Sequence, residues 1–215
     1  KLKNFSKISK IQSSSIQLSL LLSIPASVAL IIASEEIVNG LFGYGSFTSN
    51  DVKTTSDALM LFGLGVVAFS LIKILANFFF ARDNTKIPFY ISSFIVLLNV
   101  LISVSFFSKI GFLIIPIATS FSTWIGVLIF LFFLKKNNYL LLQKLLFQNT
   151  LKIIISSAIM AFALIFTLGK FSTFLDYSYT YKSIYLIIII CFAGIVYLLS
   201  CYLFGLLKIK NYKTN

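Results

Sequence analysis

Six long apolar segments, each close to the length of a membrane-spanning helix, constrain this chain more than any other feature of its sequence. A helix needs about 20 apolar residues to cross the hydrocarbon core of a bilayer. Hydrophobic residues make up 59% of the 215 positions and charged residues 11%, too little polar surface for a soluble domain. The segments cover about residues 16–33, 58–80, 89–107, 112–134, 150–168 and 182–207. We therefore predict an all-α fold, a polytopic membrane helix bundle with six transmembrane helices.

Basic residues concentrate in alternate connections, and this asymmetry predicts the orientation of the helices. Thirteen of the eighteen basic residues share one side of the predicted bundle: Lys1, Lys3, Lys7, Lys10, Arg82, Lys86, Lys135, Lys136, Lys144, Lys152, Lys208, Lys210 and Lys213. The other side has only four basic residues and five of the six acids: Lys53, Lys109, Lys170 and Lys182, with Glu35, Glu36, Asp51, Asp57 and Asp176. We predict that the side with thirteen basic residues is cytoplasmic, with both ends of the segment inside the cell, and that residues 1–15 lie at the membrane surface.

The residue types needed for most enzyme chemistry are missing or scattered. The chain has no histidine, its carboxylates lie in the predicted loops, and it contains neither a phosphate-binding glycine loop nor a metal-ligand motif. We predict no catalytic residues, no bound metal and no cofactor. The net charge of +12 is divided among short clusters next to apolar segments, which favours contact with membrane lipids over nucleic acid. A membrane transferase with its active residues in loops, or a scaffold subunit, remains an alternative to a transporter.

Two polar residues lie inside predicted spans and are candidates for substrate contact. Lys73 is a charge within the second segment, where a cation is costly and suggests a cavity-facing site for an anionic headgroup such as a diphosphate. The alternative is snorkelling, because Lys73 lies only about 10 Å from the helix end near Phe80. Asn99, in the third segment, could contact substrate or hydrogen-bond to a neighbouring helix.

Short motifs in the loops occur in an order that resembles a known family. The first segment contains Ile24-Pro25-Ala26-Ser27, and Leu41-Phe42 and Gly45-Ser46 follow it; the motif residues are Phe47, Thr48, Asp51, Arg82, Asp83, Thr85 and Pro88. On physical grounds the charged hairpin from Arg82 to Pro88 simply caps and ends two helices. Together with Lys73-Ile74-Leu75, the motifs resemble the carboxy-terminal half of the MurJ/MviN lipid II flippases, members of the multidrug/oligosaccharidyl-lipid/polysaccharide exporter superfamily. Phe80 and Ile87 are mild departures from the family pattern.

The resemblance implies an architecture. The family has fourteen helices in two six-helix lobes and a final pair, so this chain would supply the last six. Residues 1–149 would form part of the second lobe, and residues 150–215 the final pair, which lines a lipid-tail groove, with a cytoplasmic tail. Because the chain begins at Lys1 rather than a methionine, we expect an amino-terminal half upstream. The family's essential arginines belong to helices in that upstream part.

The resemblance also implies a function. Such a protein moves lipid II, an undecaprenyl-diphosphate-linked muropeptide, across the bacterial inner membrane by alternating access. Its partners would be lipid II, membrane lipids and the missing amino-terminal half, with a coupling cation as a further candidate. Lys73 and Asn99 match positions that are commonly basic and amide-bearing in the family. A polysaccharide-repeat flippase or a drug/cation antiporter of the same superfamily is the nearest alternative.

Overall fold

The computed structural model describes residues 2–206, and the tail lysines Lys208, Lys210 and Lys213 lie outside that range. Within it the chain is helical apart from short connections. Two 3₁₀ turns, Gly111–Leu113 and Ser172–Phe174, lie between helices. The α-helices are α1 (Leu2–Ile32), α2 (Ser34–Phe42), α3 (Ser49–Gly63), α4 (Val66–Phe80), α5 (Lys86–Ile110), α6 (Ile114–Lys136), α7 (Lys144–Lys170) and α8 (Lys182–Leu203).

The helices make six crossings, as the apolar segments predict. Five continuous segments are long and apolar enough to span a membrane, and one of them, Lys86–Lys136, has 51 residues. At about 1.5 Å per residue it would extend roughly 77 Å, more than twice the hydrocarbon core. It folds back at Gly111, whose φ of 73° is a backbone conformation that favours glycine, so α5 and α6 form an antiparallel pair. That segment therefore crosses twice.

The polar residues before the first apolar segment, which the sequence predicts to lie at the membrane surface, are helical. Helix α1 continues through them to Leu2, which adds about four turns to the helix. The reason is packing: Gln12 and Ser13 are buried and bind the backbone of the connection between α6 and α7. Similarly, α5 and α7 begin earlier than their apolar segments, at Lys86 and Lys144, whereas α8 ends at Leu203.

The region 34–57, predicted as the longest connection, is also mostly helical. It contains α2 and the first turns of α3, joined by a short turn around Gly45. Helix α3 begins with a capping box, in which Thr48 and Asp51 each satisfy a backbone N–H of the other. A hydropathy argument misses both elements because their polar residues interrupt the apolar run on which it depends.

Helix α1 is the element that the rest of the bundle shares. On one side its buried residues join a core with α4, α5 and α6 that includes Leu75, Phe79 and Phe130. Beyond its other side lies a second core made mainly by α7 and α8, including Leu164 and Leu186, whereas Leu146 and Ile153 of α7 belong to the first core. The pair α7–α8 is thus attached to the four preceding crossings chiefly through α1, with further contacts between α2 and α8.

The contacts between connections fall into two groups, one at each end of the bundle, as expected when successive helices run in opposite directions. At one end, which we call the basic end, Gln12, Arg82 and Tyr139 meet, and Lys152 donates to the Phe204 carbonyl. At the other, which we call the acidic end, α2 and the turn after it meet the loop between α7 and α8. Both ends of residues 2–206 are therefore on the same side of the bundle, consistent with an even number of crossings.

Pro25 interrupts the hydrogen-bond ladder of α1, and a neighbouring helix compensates for it. Proline has no N–H to donate to the carbonyl four residues earlier, which here is Leu21. The hydroxyl of Tyr197, on α8, donates to the Leu21 carbonyl at 2.6 Å. Since a carbonyl without a partner is costly in a bilayer, this bond makes Pro25 tolerable and joins α8 to α1.

A second interruption divides the crossing formed by α3 and α4. The helix breaks at Leu64 and Gly65, and side chains of α1 and α6 take over the freed carbonyls. The Ser27 hydroxyl donates to the Gly63 carbonyl at 2.7 Å and the Trp124 indole N–H to the Leu64 carbonyl at 2.9 Å. In addition, Ser120 donates to the Leu61 carbonyl at 2.8 Å. The carbonyls of Leu61, Gly63 and Leu64 therefore all have side-chain donors at the break.

We predict that Tyr197→Phe lowers the free energy of unfolding by about 1 kcal/mol, because it leaves the Leu21 carbonyl without a partner. Unfolding of the purified chain in mixed detergent micelles, titrated with SDS, measures this change. Tyr202→Phe, at an exposed position on the same helix, is the matched control and should have little effect.

A double variant tests whether Pro25 is the reason that the Leu21 carbonyl needs the Tyr197 hydroxyl. In Pro25→Ala the restored N–H at position 25 can bind the Leu21 carbonyl, so Tyr197→Phe should cost clearly less in that background. An equal cost in both backgrounds would show that the hydroxyl does not compensate for the proline.

Candidate functional site

Lys73 lies on a face of α4 that no other described helix covers. The residues on this face are exposed and follow helical spacing, with Lys73, Asn77 and Phe80 along one stripe. The opposite faces of α4 pack on α1 and α6 through Leu75, Phe78 and Phe79. Lys73 is thus the charged group of an otherwise mainly apolar open face, in the half of the crossing nearer the basic end. This placement is compatible both with a cavity-facing lysine and with snorkelling.

Asn99 is engaged in the contact between α5 and α6. Its amide nitrogen donates to the Thr119 hydroxyl at 2.8 Å, and its amide oxygen accepts from Ser103 at 3.3 Å. Both ends of the side chain therefore have partners within the pair of helices. The geometry supports the interpretation that Asn99 holds α5 to α6. It does not bring Asn99 together with Lys73, which lies on α4.

Arg82 connects α4 to the segment between α6 and α7. Its guanidinium donates to the Phe78 carbonyl at 2.6 Å and to the Tyr139 carbonyl at 3.1 Å, and it lies 4.5 Å from the centre of the Tyr139 ring. From the other side, Gln12 donates to the same Tyr139 carbonyl at 2.9 Å, and its amide oxygen accepts from the Leu141 N–H at 2.9 Å. Arg82 and Gln12 together hold the extended connection against α4 and α1.

The other residues of the hairpin shape its turn. Asp83 is exposed and has a φ of 55°, the left-handed conformation that ends α4 and that aspartate tolerates better than most residues. The side chain of Asn84 accepts from the Ile87 N–H at 3.3 Å, a capping contact at the start of α5. Thr85 precedes α5 and Pro88 is buried in its first turn, where proline is compatible with a helix. Within the described structure, the hairpin residues thus act as helix caps and as a clamp.

The motif Phe47-Thr48-Asp51 lies at the acidic end, on the opposite side of the bundle from the hairpin. Thr48 and Asp51 form the capping box of α3, and the Phe47 ring packs on Phe42 with 6.4 Å between centroids. The Tyr177 hydroxyl donates to the Phe47 carbonyl at 2.6 Å. This motif therefore starts a helix and holds the loop between α7 and α8, and it makes no contact with the hairpin.

The sequence places Lys182 at the start of the last apolar segment and gives no sign of its burial, but the structure leaves only 1% of its surface exposed. Its ammonium donates to the side-chain oxygen of Asn39 at 3.0 Å, to the Gly43 carbonyl at 2.6 Å and to the Tyr177 carbonyl at 2.7 Å. The rings of Tyr44 and Tyr177 lie 4.4 and 4.5 Å from it. The tyrosines near Lys182 in the sequence are the only local sign of a cation site. The other partners, Asn39 and Gly43, lie about 140 residues away in the chain.

An acidic cavity of about 240 Å³ adjoins this lysine. Its lining includes Glu35, Glu36, Asn39 and Asp176. Desolvation by burial raises the pKa of Glu36, and the neighbouring Glu35 carboxylate acts in the same direction. The Asp176 carboxylate accepts from both the hydroxyl and the N–H of Ser178, which lowers its pKa. Across residues 2–206, no group of histidine, cysteine, aspartate or glutamate side chains is arranged to hold a metal ion.

Buried serines form a second feature that sequence reasoning missed. Helix α1 carries Ser19, Ser23 and Ser27 at intervals of four residues, facing its neighbours, and Ser19 hydrogen-bonds to Ser70 on α4 at 2.6 Å. The spacing itself was the signal. Such small side chains let helices approach closely. Ser19 and Ser27 also hydrogen-bond to the neighbouring crossing, whereas the buried Ser23 hydroxyl has no partner within the described residues.

The family of this chain follows from comparisons with known proteins. A family model described as lipid II flippase MurJ matches residues 1–185. A probable lipid II flippase MurJ from Rhizobium tropici is 30% identical over 212 residues, covering 95% of this chain and 39% of the relative. The corresponding protein of Buchnera aphidicola subsp. Schizaphis graminum is 32% identical over 200 residues, covering 92% of this chain and 38% of the relative.

A solved structure of lipid II flippase MurJ in an inward closed conformation is similar in fold as well as in sequence. The TM-score is 0.76 and the identity 28%, over 95% of this chain and 40% of that one. The chain therefore spans about 40% of the length of the proteins it resembles.

We predict that Arg82→Lys loosens the connection between α6 and α7 while the helices stay folded. Lysine keeps the charge but cannot reach two carbonyls and stack on Tyr139 at the same time. Hydrogen exchange measured by mass spectrometry on the purified chain should show faster exchange in residues 139–143. Lys86→Arg, an equally conservative change at an exposed position nearby, should leave that exchange unchanged. Wild-type protection in Arg82→Lys would contradict the clamp.

Proposed function

Because this chain belongs to the lipid II flippase MurJ family, we propose that it forms part of a flippase that moves lipid II across the bacterial inner membrane. The observation that carries the proposal is the match of the family model over residues 1–185, together with the solved MurJ structure that superimposes on 95% of the chain. The substrate would be an undecaprenyl-diphosphate-linked muropeptide. The protein would act as a transporter rather than as an enzyme.

The segment would contribute two parts to the complete protein. Residues 1–149 would belong to the second lobe, and residues 150–215 would form the final helix pair and tail. The packing supports the pairing of α7 with α8, which share most of the second core, whereas Leu146 and Ile153 at the start of α7 pack with the other crossings in the first core. The amino-terminal partner would be the remaining 60% or so of a flippase of the length of its relatives, since this chain covers about 40% of them.

The basic end of the bundle would face the cytoplasm. Lys7, Lys10, Lys135, Lys136 and Lys144 lie there on exposed surface, whereas the acidic end carries Glu35, Asp51 and Asp176. Anionic lipids and the positive-inside tendency favour this orientation. Both ends of the segment would then be cytoplasmic.

Transport would proceed by alternating access, in which the two lobes move around a central cavity that is cationic enough to hold a diphosphate. The open face of α4 would border this cavity and Lys73 would contact the anionic headgroup. Asn99 would contribute chiefly by holding α5 to α6. The membrane potential or a coupled cation would bias the cycle.

A polysaccharide-repeat flippase or a drug/cation antiporter of the same superfamily is the second candidate. The motifs Phe47-Thr48-Asp51 and Arg82 to Pro88 favour the lipid II flippase, because they resemble the pattern of that family. The family match favours it as well.

We predict that Lys73→Ala, in a complete flippase containing residues 1–215, reduces flipping at least tenfold at an unchanged protein level. The loss of the headgroup contact is the reason. Growth complementation of a flippase-depleted strain, with quantification of the membrane protein, tests this. Lys53→Ala, at an exposed lysine near the acidic end, is the control. Normal complementation by Lys73→Ala would reassign the lysine to snorkelling.

We predict that residues 1–215 alone do not restore growth of the depleted strain, because part of one lobe cannot enclose a cavity between two lobes. The same segment co-expressed with the upstream part of a flippase serves as the comparison. Rescue by the segment alone would mean that transport does not need the upstream helices.

A further inference from the structure

We propose that the acidic end contains a cation-binding cage whose resident cation is the Lys182 ammonium, and that this cage latches the helix pair α7–α8 to α2. The cage consists of the Asn39 side-chain oxygen, the Gly43 and Tyr177 carbonyls, and the rings of Tyr44 and Tyr177. It has no part in the contacts proposed above for the substrate.

The geometry of the cage matches a charged amine. An ammonium has three N–H donors and here it has three oxygen acceptors, within 3.0 Å of the nitrogen. Two tyrosine rings lie at distances typical of cation–π contacts. All three bonded oxygens are uncharged, so the direct contacts of the cation are with carbonyl, amide and ring electrons, while the Asp176 carboxylate attracts it without a hydrogen bond.

The position of the lysine argues that the cage is specific rather than incidental. Lys182 is the first residue of α8, where the helix dipole disfavours a positive charge. Burial at 1% exposure adds a desolvation cost. A lysine at this position would turn to solvent unless the cage compensated for both effects.

The surrounding backbone leaves little room for any other group. A Cβ added to Gly43 would lie 3.1 Å from the Lys182 nitrogen and would collide with the Asn39 side chain. Asn39 is itself held by donating to the Leu175 carbonyl at 2.7 Å. Ser183, next to the lysine, donates to the Gly40 carbonyl at 2.6 Å. The cage is therefore rigid on the α2 side and receives the lysine from the α8 side.

The latch has a consequence for the flippase cycle, and this step rests on the proposed function. The elements joined by Lys182 are α2, which follows directly on α1, and the loop that links α7 to α8. With the Tyr197 bond to α1 deeper in the bundle, the final pair is fixed to the second lobe at two levels. At the acidic end the pair would move together with that lobe as one body, rather than independently.

Chemical rescue tests the cage directly. Lys182→Ala removes a propylammonium-sized group, so hydrogen exchange in residues 43–48 and 172–181 of the purified chain should become about tenfold faster or more. Added n-propylammonium should restore much of the protection, whereas propan-1-ol, of matched size but uncharged, should not. Lys170→Ala, at an exposed lysine of the same end, should exchange like the wild type. Unchanged exchange in Lys182→Ala, or equal rescue by the alcohol, would overturn the proposal.

If Lys182→Ala does not fold, Lys182→Met tests the same requirement for a cation. Methionine fills the apolar path of the lysine stem without a charge, so exchange should again be faster and n-propylammonium should give no rescue. Wild-type exchange in Lys182→Met would overturn the requirement for a cation. The measurement needs no transport, so a failure of lipid flipping in the complete protein would count against the proposed function and leave the cage unaffected.

Discussion

The requirement that every backbone carbonyl within a bilayer has a partner governs the architecture of this chain. The ladder of main-chain hydrogen bonds is interrupted at Pro25 and again at Gly63 to Gly65. At both places a side chain from another helix supplies the donor, such as Tyr197 for the first and Trp124 for the second. Each interruption thereby becomes a specific contact between crossings. Apolar packing alone would fix these helices only weakly, since lipid chains are as apolar as the side chains themselves.

The number of crossings and the all-helical class could be predicted from the sequence because both depend on the length of apolar runs. The ends of the helices could not, since polar residues such as Gln12 extend α1 by binding a connection about 130 residues away. The same limit applies to the site. Lys73 and Arg82 stand out as charges at unusual places in the sequence, so local reasoning finds them. Lys182 does not, because its burial depends on Asn39 and Gly43, which are distant in the chain.

The motifs that identify the family turn out to be structural devices at opposite ends of the bundle. Arg82 and its hairpin hold the connection after α6, whereas Thr48 and Asp51 start α3. Neither set surrounds Lys73. Sequence motifs that mark a transporter family thus need not line its transport path, because a membrane bundle constrains its turns as strictly as its cavity.

The divided crossing of α3 and α4 has a mechanical consequence. Each half has 15 residues, about 22 Å of helix, and besides a few main-chain bonds the junction between them is held by hydroxyl and indole donors of α1 and α6. A continuous helix has one inclination along its whole length. A helix divided at Leu64 can have two, and the positions of α1 and α6 then set the angle between its halves.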